Sequence, residues 1–312
     1  MKLLNPFLTK SGWVYGLSST YSRDTYLAYP MYYPNLEGEK DVGGRKYSKF
    51  SRIAQLNFEI KQPYNLFTLL DPWTVVIPKS EIIHFFDTQK TLLNILNNIN
   101  LVDPRKVLIS TIIEKCKINK IDLGIGGSYA VGCPTKESDI DLVIYGTKYV
   151  YPVITCIEDF IQNKKITMMT DNIVMQYAKR YKELYKTTPM DDLKRTFSFD
   201  VSKIYIEGRK LSLIFAYNPD EYSKINPVEN MLYDKNLCKS GEGVVISSTS
   251  SWMYPRRYII KSNNKLFSIW SYHWLHKNLC NAGDKVFFKT QQPTKNGKTL
   301  FLSMLTDRIS KK

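Results

Sequence analysis

The stretch from Gly124 to Gly146, GIGGSYAVGCPTKESDIDLVIYG, decides how this chain is interpreted. A glycine pair and a serine follow a short apolar run, and two aspartates, Asp139 and Asp141, begin a second apolar run. Because side chains alternate faces along a strand, both aspartates are expected on one side of it, with Ile140 in the core. Two carboxylates this close repel each other unless a cation lies between them.

The two halves of this stretch predict complementary parts of one site. A hard divalent cation such as Mg²⁺ takes oxygen ligands, commonly one or two carboxylates together with substrate phosphates. The turn at Gly126, Gly127 and Ser128 offers backbone N–H groups and a hydroxyl group to a phosphate. The implied reaction class is phosphoryl or nucleotidyl transfer. The alternative is that the sequence SDID only caps a strand with solvated acids.

The spacing of these residues is similar to that of a known superfamily. Gly127-Ser128, ten intervening residues and then Asp139-Ile140-Asp141 resemble the signature of the polymerase-β-like nucleotidyltransferases. The whole arrangement resembles an uncharacterised archaeal branch, with the transferase unit between two accessory regions. The resemblance implies that Gly127 and Ser128 bind the phosphates of an NTP substrate. It also implies that Asp139 and Asp141 are catalytic and bind Mg²⁺ or Mn²⁺.

One part of the superfamily pattern is not evident in this chain. Active members carry a third carboxylate on a later strand, and the corresponding predicted strand is Lys210–Tyr217, KLSLIFAY. Register against an apolar-Asp-apolar strand places Ser212 at the acid position. The nearest acids are Asp200 and Glu207, and Glu207 lies on the preceding arm of the predicted hairpin. Either Glu207 or a water-held metal beside Ser212 completes the site, or catalysis is impaired.

The remaining sequence predicts an α+β fold with three regions. Residues 1–87 read as a β-rich N-terminal region with short aromatic and β-branched runs, such as Ile53–Phe58 and Trp73–Val76. Residues 88–235 are expected to form a central nucleotidyltransferase-like mixed sheet with helices. Residues 236–312 are expected to form a small basic module, β-barrel-like or α+β, with one helix near Phe267–Cys280.

Local signals predict several elements of the central region. The spacing of apolar residues predicts a helix over Thr88–Asn98, and Asp103-Pro104 predicts the capped start of a second helix that ends near Lys117. A β-hairpin is predicted to turn at Gly208-Arg209. The polar, proline-containing segment Pro219–Asp234 is predicted to be a connection.

The charge of the chain predicts an anionic partner. The net charge is +15 and the pI is about 9.4. Residues 241–312 carry twelve Lys or Arg against three Asp or Glu, an excess of nine positive charges. RNA or DNA is therefore the expected acceptor. The alternative is a proteome that is basic throughout.

Aromatic residues are interleaved with cations in the C-terminal region, a mixture that suits base stacking with phosphate contact. The alternative is that the aromatic residues form the core and the cations a solvated rim. The residues concerned are Trp252, Tyr254, Arg256, Arg257, Tyr258, Trp270, Tyr272 and Trp274.

Five scattered cysteines without C-x-x-C spacing argue against a disulfide framework and favour a reducing, cytoplasmic location. No apolar run approaches 18 residues, and the first residues do not read as an export signal, so no membrane partner is expected. Nothing in the sequence indicates an oligomeric state, which nucleotide is used, or which acceptor.

Other candidate residues have two interpretations each. Lys136, Lys194 and Arg195 either bind a triphosphate or are solvated lysine and arginine side chains of a basic chain. His273 and His276, together with Cys280, have helical spacing that suits either a zinc site or a packing stripe. Cys133 lies in the loop before the aspartates, where it is interpreted as a small loop residue.

Three functions remain open from the sequence. The first is Mg²⁺-dependent transfer of an NMP from an NTP to a hydroxyl group on RNA or DNA. The second is a catalytically impaired protein of the same fold, which acts as a nucleic-acid- or nucleotide-binding module. The third is transfer of AMP to a protein hydroxyl group.

Overall fold

The mixed α+β character of the chain is confirmed, because its described residues form three sheets and seven α-helices. The computed structural model describes residues 2–50, 61–67, 70, 73–98, 103–183, 190–198, 200–229, 238–273, 276–277, 279–291, 298–302 and 308–311. The strand predicted at Ile53–Phe58 lies outside these residues. The predicted domain boundaries stay predictions.

The N-terminal sheet has seven strands, all antiparallel to their neighbours. Its strands are β1 (Pro6–Thr9), β2 (Val14–Ser22), β3 (Thr25–Pro34), β4 (Lys40–Val42), β5 (Arg45–Lys49), β6 (Val75–Pro78) and β7 (Ile82–Phe85). Their order is β4-β5-β3-β2-β1-β7, and β6 pairs with the first half of β3. Buried aromatic residues fill its core, among them Phe7, Trp13, Tyr15 and Trp73.

The central region alternates helices and strands around a second sheet. Its helices are α1 (Thr88–Asn97), α2 (Pro104–Lys115), α3 (Gly127–Ala130), α4 (Val150–Gln162), α5 (Asp171–Lys182), α6 (Met190–Ser198) and α7 (Pro219–Ser223). Its strands are β8 (Leu123–Ile125), β9 (Ile140–Tyr145), β10 (Thr167–Met168), β11 (Lys203–Ile206) and β12 (Arg209–Ala216). Their order is β10-β11-β12-β9-β8, in which only β12 and β9 are parallel.

The predicted helix starts are confirmed by their caps. The Asp87 side chain accepts a hydrogen bond from the Lys90 amide at the start of α1. The Asp103 carboxylate accepts one from the Arg105 amide at the start of α2, with Pro104 in the first turn. Each cap satisfies an amide that has no partner inside the helix.

Two local predictions in this region need correction. The hairpin turns at Glu207-Gly208 and not at Gly208-Arg209, since both residues have positive φ (49° and 76°), as a two-residue turn between twisted strands requires. The predicted connection Pro219–Asp234 begins with helix α7. Asn218 and Glu221 form a reciprocal capping box there. Residues 230–234 of that prediction lie outside the described residues.

The C-terminal strands form a third sheet whose pairings close a ring. Its strands are β13 (Cys238–Ser247), β15 (Arg256–Ser262), β16 (Lys265–Ser271), β17 (Lys285–Gln291), β18 (Thr299–Phe301) and β19 (Arg308–Lys311). The order β13-β15-β16-β18-β17 returns to β13 through a β13–β17 pairing, and β19 adds to β17. The helix predicted near Phe267–Cys280 is wrong at its start, because Lys265–Ser271 pairs along β15 with Phe267 and Ile269 buried.

The three sheets are joined by packing and by buried hydroxyl groups. The two-residue strand β14 (Met253–Tyr254) pairs with the end of β12, so the C-terminal region extends the central sheet. Tyr222 OH lies 2.7 Å from Ser19 Oγ and 2.8 Å from Tyr272 OH. None of the helices in the described ranges is long and apolar enough to cross a membrane.

Candidate active site

Side chains from three neighbouring strands meet on one face of the central sheet. Ser212 of β12 is paired with Asp141 of β9 on one side and with Lys203 of β11 on the other. Paired residues project to the same face, so these three side chains form a row. Two residues earlier on β12, Lys210 lies beside Asp139, with 2.8 Å between Lys210 Nζ and Asp139 Oδ2. The face therefore carries two acids, a hydroxyl group and two amines.

The glycine turn lies directly against this face. The Gly126 amide donates a 2.8 Å hydrogen bond to the Asp141 carbonyl oxygen, which ties the turn to the start of β9. Gly127 has φ of +61°, and a Cβ added there would overlap Asp141 Oδ2. A side chain at this position would be strained and would have to displace the Asp141 carboxylate, so glycine is favoured here. Gly127, Ser128, Asp139 and Asp141 are thus brought together, as the sequence predicts.

Arg105 of helix α2 holds the site together from the buried side. Its Nη1 donates to the Ser138 carbonyl (2.9 Å), just before Asp139, and to the Lys210 carbonyl (3.0 Å). Its Nη2 donates to Asp103 (2.6 Å) and to the Tyr129 hydroxyl in α3 (3.3 Å). One guanidinium group therefore fixes the backbone on both sides of the Asp139–Lys210 pair.

The two aspartates differ in their electrostatic surroundings. Burial alone would raise the pKa of Asp139, but the Lys210 ammonium and its hydrogen bond hold this pKa below its usual value. Burial and the Asp139 carboxylate raise the pKa of Asp141 to about 6. Lys49 of β5, on the N-terminal sheet, lowers the pKa of both carboxyl groups. Asp139 is thus paired directly with Lys210, whereas nearby lysines only partly offset the burial and the repulsion that Asp141 experiences.

Ser212 occupies the position that the register argument assigned to it. It is buried, with 6% of its surface exposed, and its Oγ lies 3.5 Å from Asp139 Oδ2. Asp200 bonds to Ser202 and to the Lys277 ammonium, and Glu207 is exposed at the hairpin turn. Across the described parts of the chain, no third His, Cys, Asp or Glu joins a metal-holding group. The interpretation that Glu207 completes the site is therefore wrong.

Sequence reasoning missed the two lysines on this face. Burial lowers the pKa of Lys203 to about 7, although Asp200 partly opposes this. The pKa of Lys210 is raised, because the charge of Asp139 outweighs the effect of burial. The position of Lys210 could have been predicted from the sequence, since alternation along KLSLIFAY places it on the same face as Ser212. Nothing in the sequence marks Arg105 or Lys203.

The basic candidates from the sequence lie away from the paired acids. Lys136 is exposed in the loop before β9. Lys194 pairs with Asp191 at 3.3 Å along helix α6, and the Arg195 side chain is outside the described residues. Cys133 is buried in the same loop and packs with Tyr32 and the N-terminal sheet. Among the described side chains, neither Lys136 nor Lys194 contacts Asp139 or Asp141.

Residues 108–210 match the family model of the nucleotidyltransferase domain. The match covers about a third of the chain, from helix α2 to Lys210, and includes the glycine turn and both aspartates. It confirms the polymerase-β-like resemblance for this stretch, and it ends two residues before Ser212. Neither a comparison with curated proteins nor one with solved structures finds a significant match. The archaeal branch and the accessory domains stay predictions.

The oxygen donors of the nucleotidyltransferase domain fit a divalent cation. The carboxylates of Asp139 and Asp141, with the Ser212 hydroxyl, form the hard oxygen set that Mg²⁺ and Mn²⁺ take when substrate phosphates supply further ligands. The raised pKa of Asp141 is itself a sign of negative charge that a bound cation would stabilise.

The aromatic candidates of the C-terminal region belong to the core, and Arg256 is buried with them and not part of a solvated rim. Tyr254, Tyr258, Trp270 and Tyr272 are buried core residues, so the base-stacking interpretation is wrong for them. Trp274 lies outside the described residues. His276 Nδ1 lies 2.7 Å from Ser271 Oγ, and the His273 amide donates a 3.1 Å hydrogen bond to the same oxygen, so both histidines contact Ser271. Within the described ranges, they form no metal-holding group with Cys280.

The raised pKa of Asp141 predicts how the stability of the metal-free protein depends on pH. Its folded-state pKa of about 6 lies above the ordinary value of 3.8, so the native state binds the proton more tightly than the unfolded state. This contribution is fully present below about pH 4 and is lost as the pH rises through about 6. We expect Asp141→Asn to stabilise the metal-free protein at pH 7.5 by about 1–2 kcal/mol and to have little effect at pH 4.

Urea unfolding of the wild type and of Asp141→Asn in EDTA, repeated at several pH values from 4 to 7.5, measures this difference. Asp122→Asn, at a part-exposed carboxylate beside Lys148, is the matched control. A pH-independent difference between Asp141→Asn and wild type contradicts the raised pKa.

Proposed function

We propose that this chain is a Mg²⁺-dependent nucleotidyltransferase, which moves an NMP from an NTP to a hydroxyl group on RNA or DNA. The observation that carries the proposal is the close approach of the Gly127-Ser128 turn to Asp141, so close that a Cβ added at Gly127 would overlap Asp141 Oδ2. A phosphate held by the turn is thereby adjacent to the carboxylates that would hold its counter-ion. The nucleotidyltransferase-domain match over the same residues supports general NMP transfer.

In the proposed reaction, each group of the chain has a distinct task. The backbone N–H groups of the turn and the Ser128 hydroxyl bind phosphate oxygens of the NTP. Asp139 and Asp141 hold Mg²⁺, which when bound draws charge from the phosphate and lowers the pKa of the attacking hydroxyl group. The acceptor hydroxyl group gives its proton to solvent, its oxygen bonds to the α-phosphorus, the bond to the bridging oxygen breaks, and pyrophosphate leaves. Arg105 keeps the backbone beside Asp139 in place for this step.

The preference for a nucleic-acid acceptor rests on charge. Exposed lysines are distributed over the C-terminal strands, namely Lys261, Lys265, Lys285, Lys289, Lys298 and Lys311. Because Tyr254, Tyr258, Trp270 and Tyr272 are buried, contact with nucleic acid is expected mainly through phosphates. Binding should therefore weaken steeply as the salt concentration rises.

A direct experiment supplies each labelled NTP in turn with total RNA, single-stranded DNA and no acceptor, in Mg²⁺, Mn²⁺ or EDTA. We expect labelled nucleic acid with a divalent cation only, and background levels from the variant Asp139→Ala/Asp141→Ala. Labelling of the protein itself would point to a protein acceptor. Equal labelling by the variant, or none by wild type with any acceptor, contradicts the proposal.

A second candidate function is favoured by the buried Ser212 at the third-acid position. In this alternative, the fold binds nucleic acid or nucleotide without turnover, since fold and catalysis are separable. It predicts salt-sensitive nucleic-acid binding that is unchanged in the same double variant and is accompanied by no labelling. Filter binding of RNA and DNA to both proteins between 50 and 300 mM salt distinguishes the two functions.

A further inference from the structure

Lys210 is a mostly buried lysine on the face of the sheet that carries both aspartates. The pairing of Leu211 with Ile140, and of Ser212 with Asp141, continues to place Lys210 next to Asp139. Only 19% of its side chain is exposed, and its Nζ lies 2.8 Å from Asp139 Oδ2. This is a short, partly desolvated ion pair inside the proposed catalytic centre.

The position of this ammonium group is set by more than its attraction to Asp139. The Lys210 backbone is paired on β12, and its carbonyl accepts a 3.0 Å hydrogen bond from the buried Arg105. Its Nζ also donates to the Tyr177 hydroxyl on α5, at 3.4 Å, and lies 5.8 Å from the centre of the Tyr177 ring. The side chain is therefore anchored at its base and at its tip, and it cannot swing into solvent without losing both contacts.

The net charge around Asp139 and Asp141 limits the number of divalent cations that the site can bind. A centre with three carboxylates offers three negative charges to divalent cations, whereas this face offers two, and Lys210 already neutralises one of them. Within the described ranges, no further His, Cys, Asp or Glu supplies the missing ligand. A second divalent cation would lie close to an ammonium group and would share Asp139 with it, which like-charge repulsion opposes.

We propose that Lys210 is a fixed cation of this centre, so that Asp139 and Asp141 hold a single divalent cation, with the Lys210 ammonium in place of a second one. The inference rests on the proposed function, because it concerns the metal that the same two aspartates would bind. It makes Lys210 a determinant of metal stoichiometry and of metal affinity. Ser212 fits this arrangement, since a neutral hydroxyl group adds no charge to the net −1 that the two aspartates and the Lys210 ammonium carry together.

Binding of Mn²⁺ to the metal-free full-length protein tests the inference without any catalytic readout. Titration followed by the electron paramagnetic resonance signal of free Mn²⁺ counts the bound ions and gives their affinity, with and without a non-hydrolysable NTP. We expect one Mn²⁺ per chain for wild type. We expect Lys210→Met to bind Mn²⁺ at least about tenfold more tightly, or to take up a second ion, because an adjacent positive charge is removed.

Two further variants serve as controls. Lys210→Arg keeps the charge and should keep the wild-type stoichiometry. Lys148→Met removes an exposed lysine, 68% accessible, that lies just after β9 and should not change Mn²⁺ binding. Circular dichroism verifies that each variant is folded. If Lys210→Met does not fold, the wild-type count of one or two ions decides by itself.

The outcomes separate this inference from the proposed function. Two Mn²⁺ ions bound by wild type, or an unchanged affinity in folded Lys210→Met, overturns the role of Lys210 and leaves the nucleotidyltransferase proposal intact. One Mn²⁺ ion with the expected response to Lys210→Met, but no transfer of label from any NTP, supports the inference and contradicts the proposed function. Absence of Mn²⁺ binding in all proteins contradicts both.

Discussion

Arg105→Met is expected to lower the free energy of unfolding by about 3 kcal/mol, the lower end of the usual cost of breaking a buried ion pair, because Arg209 still contacts Asp103. The Arg105 and Asp103 side chains are 2% and 1% exposed, and they form a 2.6 Å contact. Methionine has a comparable length, so the main loss is electrostatic and not a cavity. The carbonyls of Ser138 and Lys210 would also lose a donor.

Urea unfolding at pH 7.5, monitored by circular dichroism, measures this loss. Arg209→Met is a matched control, because Arg209 contacts the same Asp103 carboxylate at 3.2 Å but is 49% exposed. The control should cost no more than about 1 kcal/mol, as exposed ion pairs do. Similar costs for the two variants would contradict a central role for Arg105. An Arg105→Met protein that retains stability but loses Mn²⁺ binding would show that Arg105 acts on site geometry alone.

Ser212→Asp is expected to increase NMP transfer by about 10²-fold, the size of effect typical of a positioned acid–base group or charge-stabilising group. Ser212 is paired in register with Asp141, and its Oγ is 3.5 Å from Asp139 Oδ2. A carboxylate at this position would supply the third acid of the centre. The paired Lys203 on β11 would offset part of the added charge.

The matched control for this change is Ser212→Asn, which has the same shape without the charge. Initial rates of labelled NTP incorporation are compared for wild type and both variants across Mg²⁺ and Mn²⁺ concentrations. The metal-free Ser212→Asp protein should also be less stable than Ser212→Asn, since three carboxylates then share one partly buried face. Equal rates for the two variants would mean that the missing carboxylate does not limit this centre.

The parts of the site that follow from local chemistry could be predicted from the sequence. The glycine turn, the two aspartates on one face and the caps at Asp87 and Asp103 each depend on residues close together in the chain. The position of Ser212 could also be predicted from the sequence, because the alternation of side chains along β12 fixes which residues share a face. Lys210 follows from the same alternation, but its meaning requires the pairing of β12 with β9.

The features that could not be predicted depend on distant contacts. Arg105 acts through carbonyls 33 and 105 residues away, which no local pattern encodes. The segment beginning at Phe267 has apolar spacing compatible with a helix, but pairing with β15 and closure of the ring favour a strand. The cation–aromatic mixture of the C-terminal region has the same composition whether its rings are buried or exposed, so burial was decided by tertiary packing.

The hydroxyl chain from Ser19 through Tyr222 to Tyr272 has a consequence for how this architecture is inherited. Each of the three residues belongs to a different region, and the Tyr222 hydroxyl is satisfied from both neighbouring regions. Removing either flank would leave a buried polar group without one of its partners. In a relative that carries only the transferase segment, this hydroxyl group would face water, and the contacts that favour tyrosine at the position of Tyr222 would be absent. The residue at this position should thus record whether a lineage acquired the flanking regions together with the catalytic sheet or apart from it.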